Sequence, residues 1–135
     1  MRVRKAKKSD FSKVIRLSQK YDLDYTSMEA DDFWLAEEGK TIMGIVGLKK
    51  HKDCLELCSL GVDEIYRNRG IAKRLVLALL KKAKENVYLA TIIPGFFKKF
   101  GFEKASSIPV SMIKKSDWCK GCNKELCTVM MRKSE

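Results

Sequence analysis

An α+β (α/β mixed) fold is what this chain predicts: one domain spanning residues 1–135, with a mixed central sheet of about six to seven strands flanked by helices. Three observations carry that expectation. Residues 33–62 read as three strands joined by tight turns, an antiparallel meander. Residues 54–93 then read as strand, helix and strand, the crossover that sets two strands parallel within one sheet. A length of 135 residues, 45% hydrophobic and 33% charged, is enough for one core without staples.

Taken in order, residues 2–6 alternate as a first strand. Ser9 and Asp10 then cap a helix whose Phe11, Val14, Ile15, Leu17 and Ser18 follow helical spacing as far as Tyr21. Residues 22–31 are polar, a loop or short second helix able to cover a substrate site. Phe33 to Leu48 forms two strands about a turn at Glu38 to Lys40, where Gly39 supplies a positive φ. A second turn at Lys50 to Asp53 leads into a third strand, Cys54 to Val62, and Gly61 within it signals a bulge or a close backbone approach to a ligand. Ala72, Leu75, Val76, Leu79 and Ala83 give the next helix an apolar face, with Asn86 as its stop. Val87 to Ile93 is a near-continuous apolar strand, the pattern of burial on both faces. Pro94 opens a short helix to Phe100, closed by Gly101. Phe102 to Ala105 is a short strand, residues 106–117 are irregular around Pro109, and Thr128 to Met131 is the last strand.

Between the third strand and the long helix lies the stretch Tyr66-Arg67-Asn68-Arg69-Gly70-Ile71-Ala72. The first amides of a helix have no intrahelical partner and carry the positive end of its dipole, and a glycine there lets a pyrophosphate come close to the backbone. Arg67, Asn68 and Arg69 add donors and charge, so the turn reads as an anion cradle.

Arg67-x-x-Gly70-x-Ala72, set between a strand and a helix, resembles the Gln/Arg-x-x-Gly-x-Gly/Ala signature of the GNAT superfamily of acetyl-CoA-dependent N-acetyltransferases. Phe33 to Leu48 is similar to that family's second and third strands and Glu56-x-x-x-Leu60-x-Val62 to its fourth. Phe96-Phe97-Lys98-Lys99-Phe100-Gly101-Phe102-Glu103 is similar to its Phe-Tyr-x-x-x-Gly-Phe-Glu box. The order β-α-β-β-β-α-β-α-β-β is the family's own, so the resemblance covers nearly the whole chain. It implies acetyl-CoA as co-substrate, its phosphates at Arg67, Asn68, Arg69, Gly70, Ile71 and Ala72, and its pantetheine arm lying like an added strand where the fourth and fifth strands splay. A backbone N–H near Leu60, Gly61 or Val62 would polarise the thioester carbonyl.

The acceptor amine must lose a proton, and Glu56 stands where several relatives carry a catalytic carboxylate; an outward-facing residue in a cross-strand ion pair is the alternative. Phe97 replaces the Tyr that many relatives use to protonate the departing thiolate, with Tyr66 or Tyr88 as substitutes or mere packing residues. Ala90 and Ile93 stand where many relatives have Asn and Ala, a departure from the family pattern at an implied coenzyme contact. The doubled Phe, with Trp118 and the cysteines after it, is similar to the N-acetylglutamate synthase branch, so the implied acceptor is a small primary amine, an amino acid such as glutamate.

Lys plus Arg number 28 against 17 Asp plus Glu, a formal charge of +11 that attracts polyanions. The lysines are scattered with no interleaved aromatic reading motif, so nucleic acid is not the expected partner. A catalytically degenerate, nucleic-acid-binding or regulatory module and a protein N-terminal or lysine acetyltransferase are the competing readings. Apolar runs fall short of the roughly 20 residues of a membrane span, and the basic start has no apolar stretch behind it, so a cytoplasmic protein with no membrane partner is expected. A homodimer stays open. The Cys-rich segment 118–127 offers Cys119, Cys122 and Cys127 as ligands for a structural zinc, with Cys54, Cys58 or His51 as a fourth; free thiols are the favoured state. Cys54 and Cys58 read as small core residues and His51 as exposed in a lysine-rich turn.

Overall fold

The computed structural model describes residues 1–113 and 127–134. Its strands are β1 (Arg2–Lys5), β2 (Phe33–Glu38), β3 (Thr41–Lys50), β4 (Leu55–Val62), β5 (Val87–Thr91), β6 (Glu103–Lys104) and β7 (Thr128–Arg132); its α-helices are α1 (Phe11–Lys20), α2 (Ile71–Lys82) and α3 (Pro94–Lys98). The sheet order is β1-β2-β3-β4-β5-β7-β6. The β1–β2, β2–β3, β5–β7 and β6–β7 pairs are antiparallel, whereas β4 runs parallel to β5 through Leu55↔Val87 and Glu56↔Tyr88. The sheet is therefore mixed, as the meander and the crossover predicted.

Two compact units divide the chain, Met1–Lys49 with Leu57–Lys82, and Lys50–Glu56 with Ala83–Glu135. The first contains the larger core. Val14, Leu17, Met28, Phe33, Leu35 and Ile45 form one buried cluster, with Phe11, Tyr21 and Leu23 packed against it. Phe33 and Leu35 are wholly buried, each worth roughly 1.5–3 kcal/mol of apolar transfer. The face of α1 is Val14, Leu17 and Ser18; Ser18 satisfies its hydroxyl by donating to the Val14 carbonyl at 2.9 Å. Helix α2 turns Ile71, Leu75, Val76, Leu79 and Leu80 inward and packs against β1 and β2. At the start of α1, Asp10 lies in a 3-10 turn, Lys8–Asp10, and its carboxylate takes the Lys7 amide at 2.8 Å.

The second unit is smaller and carries a cluster of phenylalanines. Pro94 opens α3, and Phe96, Phe97, Phe100 and Phe102 meet edge to face at centroid distances of 5.0–5.9 Å. Gly101, at φ +89°, reverses the chain after α3, a conformation that glycine adopts without strain.

Several boundaries differ from expectation. Helix α2 ends at Lys82, ahead of Asn86; α3 ends at Lys98; β6 is two residues long. Burial on both faces belongs to β2 and β3, where Phe33 to Ala36 and Met43 to Leu48 are continuously buried. Strand β5 stops at Thr91 and alternates, Val87, Leu89 and Thr91 inward with Tyr88 and Ala90 half-buried, while Ile92 and Ile93 lie exposed. Residues 22–29 form a loop, followed by a 3-10 turn at Ala30–Asp32.

Candidate functional site

The turn between β4 and α2 is open. Arg67, Asn68, Arg69 and Gly70 are exposed, with Asn68 at φ +66° and Gly70 at φ +75°. Asn and Gly are the residue types that accept this left-handed backbone most readily. A Cβ added to Gly70 would meet nothing within 4 Å, so the space above it is free. The first amide of α2 to bond back is that of Arg74, to the Gly70 carbonyl at 3.2 Å; the amides of Ile71, Ala72 and Lys73 precede it and form the helix's orphan donors. Ile71 itself is 3% exposed, so only its backbone can serve a ligand.

The turn is braced from α1. Tyr21 donates its hydroxyl to Asp63 Oδ1 at 2.9 Å and accepts the Glu64 amide at 2.8 Å, while Lys20 reaches the same carboxylate at 3.3 Å. Burial opposes the charged form of Asp63, but the Tyr21 and Lys20 bonds outweigh it and hold the carboxyl below its ordinary range. Arg67 lies over the Tyr21 ring at 5.1 Å and donates Nε to the Val62 carbonyl at 3.0 Å.

The backbone of β4 has a defined facing. The Asp63 amide bonds to Met43 of β3 at 2.8 Å, and the Gly61 carbonyl oxygen lies 2.9 Å from where a Gly44 Cβ would stand. Both groups face β3. In an extended chain successive peptide groups alternate, so the amides of Leu60 and Val62 point away from β3. Gly61 is not left-handed; the left-handed residue of β4 is Ser59, at φ +57°, whose hydroxyl donates to the Asp24 carbonyl. Gly61 is needed for another reason: a Cβ there would fall 2.6 Å from Leu23 Cδ1. Residues 22–29 are thus fastened over β4. Lys49 pairs with Asp24 at 2.8 Å, and the Thr26 amide takes the other carboxylate oxygen at 2.8 Å. Burial raises the Asp24 pKa, but these bonds prevail and leave it lowered.

Glu56 is held by His51. Nε2 and Oε1 are 2.8 Å apart, and the two side chains are only 17% and 19% exposed, so His51 is not the exposed turn residue that its lysine neighbours suggested. Beside them, burial and then the charges of Asp53 and Glu56 push the Cys54 thiol up to about 11, so it stays protonated at neutral pH. Cys54 and Cys58 are partly rather than fully buried.

Phe97 is 5% exposed and packed on Phe96 and Phe102, a core residue with no proton to supply. No cluster of three or more metal-ligating side chains forms among the described residues, and Cys119 and Cys122 lie outside them. Of the site residues expected from sequence, Leu60, Gly61, Val62, Arg67, Asn68, Arg69, Gly70, Ile71 and Ala72 fall together on β4 and the turn into α2. Tyr21, Asp24, Ser59 and His51 were missed. For His51 the available signal was a lone histidine five residues ahead of Glu56 across a tight turn.

Comparison with known proteins agrees with this geometry. The sequence profile of the Acetyltransferase (GNAT) family matches residues 2–102. N-acetyltransferase 8 of Rattus norvegicus is 36% identical over 75 residues, covering 51% of this chain and 34% of that protein. N-acetyltransferase 8B of Homo sapiens is 30% identical over 95 residues, covering 59% and 42%. The chain thus spans well under half the length of these curated relatives. Among solved structures, N-acetylglutamate synthase from Neisseria gonorrhoeae, complexed with coenzyme A and N-acetyl-glutamate, superposes with TM-score 0.76 at 18% identity over 99% of this chain and 35% of that one. Rv2747 from Mycobacterium tuberculosis, also complexed with CoA, gives 0.73 at 18% identity over the full length of both. No described helix is long and apolar enough to cross a membrane.

Proposed function

Because the chain belongs to the acetyltransferase (GNAT) family, we propose that it moves the acetyl group of acetyl-CoA to the primary amine of a small molecule, with an amino acid such as glutamate as the leading acceptor. The observation that carries this reading is the paired readiness of one backbone segment. The amides of Leu60 and Val62 point away from β3, and ten residues later the orphan amides of α2 open beneath the space over Gly70.

In this reading the α2 amides, with Arg67 and Arg69 nearby, take the diphosphate of the coenzyme. The Leu60 or Val62 amide receives the thioester carbonyl oxygen and the negative charge that grows on it. The amine nitrogen attacks the carbonyl carbon, the C–S bond breaks, and Glu56, on the same strand, takes the amine proton directly or through water. A thiolate with a pKa near that of a free thiol, about 8.5, leaves without a dedicated acid, so a buried Phe97 is no obstacle. The amino-acid acceptor is supported by the fold shared with N-acetylglutamate synthase; in this reading residues 22–29, fastened over β4, cover it.

Calorimetric titration with acetyl-CoA at moderate salt tests the first half: saturable binding is expected, and its absence ends the proposal. Thiol release from acetyl-CoA with free amino acids, against histone-type peptides, tests the second. Faster release with peptides would move the acceptor to a protein amine. Salt-sensitive RNA binding with no thiol release in either arm would favour the degenerate module.

A further inference from the structure

We propose that His51 is a positioning residue for Glu56: its Nε2 fixes one carboxylate oxygen, Oε1, and so directs the other at the acceptor amine or the water that relays its proton. This rests on the reading of Glu56 as the base. The 2.8 Å contact joins two side chains that are each more than four-fifths buried, so water competes weakly for either. Both ends are anchored. The His51 amide bonds to the Cys54 carbonyl at 2.9 Å, closing the turn between β3 and β4. That turn is held in its own right by Asp53, whose Oδ2 accepts the Ser111 amide at 3.3 Å. Glu56 pairs in register with Tyr88 of β5.

With its proton on Nε2 the imidazole donates to Oε1 and holds that carboxylate oxygen. The amine proton then ends on the second carboxylate oxygen, Oε2. A glutamate without such a partner samples several torsional states, few of which face the acceptor. The charged and titratable groups around the pair are Asp53, Cys54 and Tyr88, with Lys50 and Lys52 flanking His51 in the chain.

The test is steady-state thiol release from acetyl-CoA with an equimolar mixture of the free amino acids other than cysteine, whose own thiol would be read. It compares wild type with His51→Ala, His51→Gln, Glu56→Gln and the double variant His51→Ala with Glu56→Gln, each checked for acetyl-CoA affinity by calorimetry. His51→Ala is expected to lower kcat about tenfold or more while leaving the KM for acetyl-CoA unchanged. His51→Gln, which keeps an N–H donor, recovers most of that loss. The double variant matches Glu56→Gln alone, because His51 acts only through the carboxylate. A wild-type kcat in His51→Ala, or losses that multiply in the double variant, overturns the inference and leaves the transferase reading intact. A wild-type rate in Glu56→Gln removes Glu56 as base, and no thiol release by wild type removes the transferase reading itself.

Discussion

Ser59 and Gly70 both hold left-handed backbone, at φ +57° and +75°, and they hold it by opposite means. Ser59 is 9% exposed, and its hydroxyl is spent on the Asp24 carbonyl. Gly70 is exposed, with nothing within 4 Å of where a side chain would begin. At one position a bond compensates a conformation that an L-residue resists; at the other the missing side chain removes the resistance and leaves a vacancy. Strain closed by a protein contact serves architecture, whereas the same backbone left open leaves room over the α2 amides, which the proposed function fills with the coenzyme diphosphate.

The largest effect is expected at the open site. Gly70→Val should weaken acetyl-CoA binding at least tenfold in calorimetry, because the branched side chain occupies the space over the α2 amides, while thermal stability drops by about 1–3 kcal/mol of backbone strain. Unchanged acetyl-CoA affinity would break the contrast. At the closed site, Ser59→Ala should cost about 1–2 kcal/mol in denaturant unfolding, since it loses the bond and keeps the strain. Ser59→Gly should cost less, since it loses both. An equal cost would show that the bond alone matters.

The smallest effect concerns the brace beneath the open turn. Asp63 has its folded pKa held down, so its stabilisation is present above the unfolded value of about 3.9 and fades as pH falls through the folded one. The stability gap between wild type and Asp63→Asn, measured by denaturant at pH 6 and pH 3, should therefore be larger at pH 6. A gap that widens in acid would show that the Tyr21 and Lys20 contacts do not stabilise the carboxylate.

Much of the fold was legible because it is written in local patterns. The element order follows from the glycines at turns, the apolar face of α2 and Pro94, all of which act within a few residues. The burial of β5 was misjudged because apolar composition cannot tell a strand covered on both faces from one whose last residues, Ile92 and Ile93, leave the sheet. The open turn ahead of α2 was legible for the same local reason, as a glycine at a helix start. Its supports were not: Tyr21 and Asp63 lie 42 residues apart and Ser59 and Asp24 lie 35 apart, and only folding brings them together. Gly61 was singled out for a bulge or a close backbone approach to a ligand; the neighbour it makes room for is Leu23.

The Ser59 hydroxyl grips the main-chain oxygen of Asp24 rather than its side chain. Such an anchor does not depend on the identity of the amino acid at that point. The exposed positions of this segment, Asp22, Thr26, Ser27 and Glu29, can therefore change by substitution while Leu23 and Met28 keep it packed and the same knot keeps it moored.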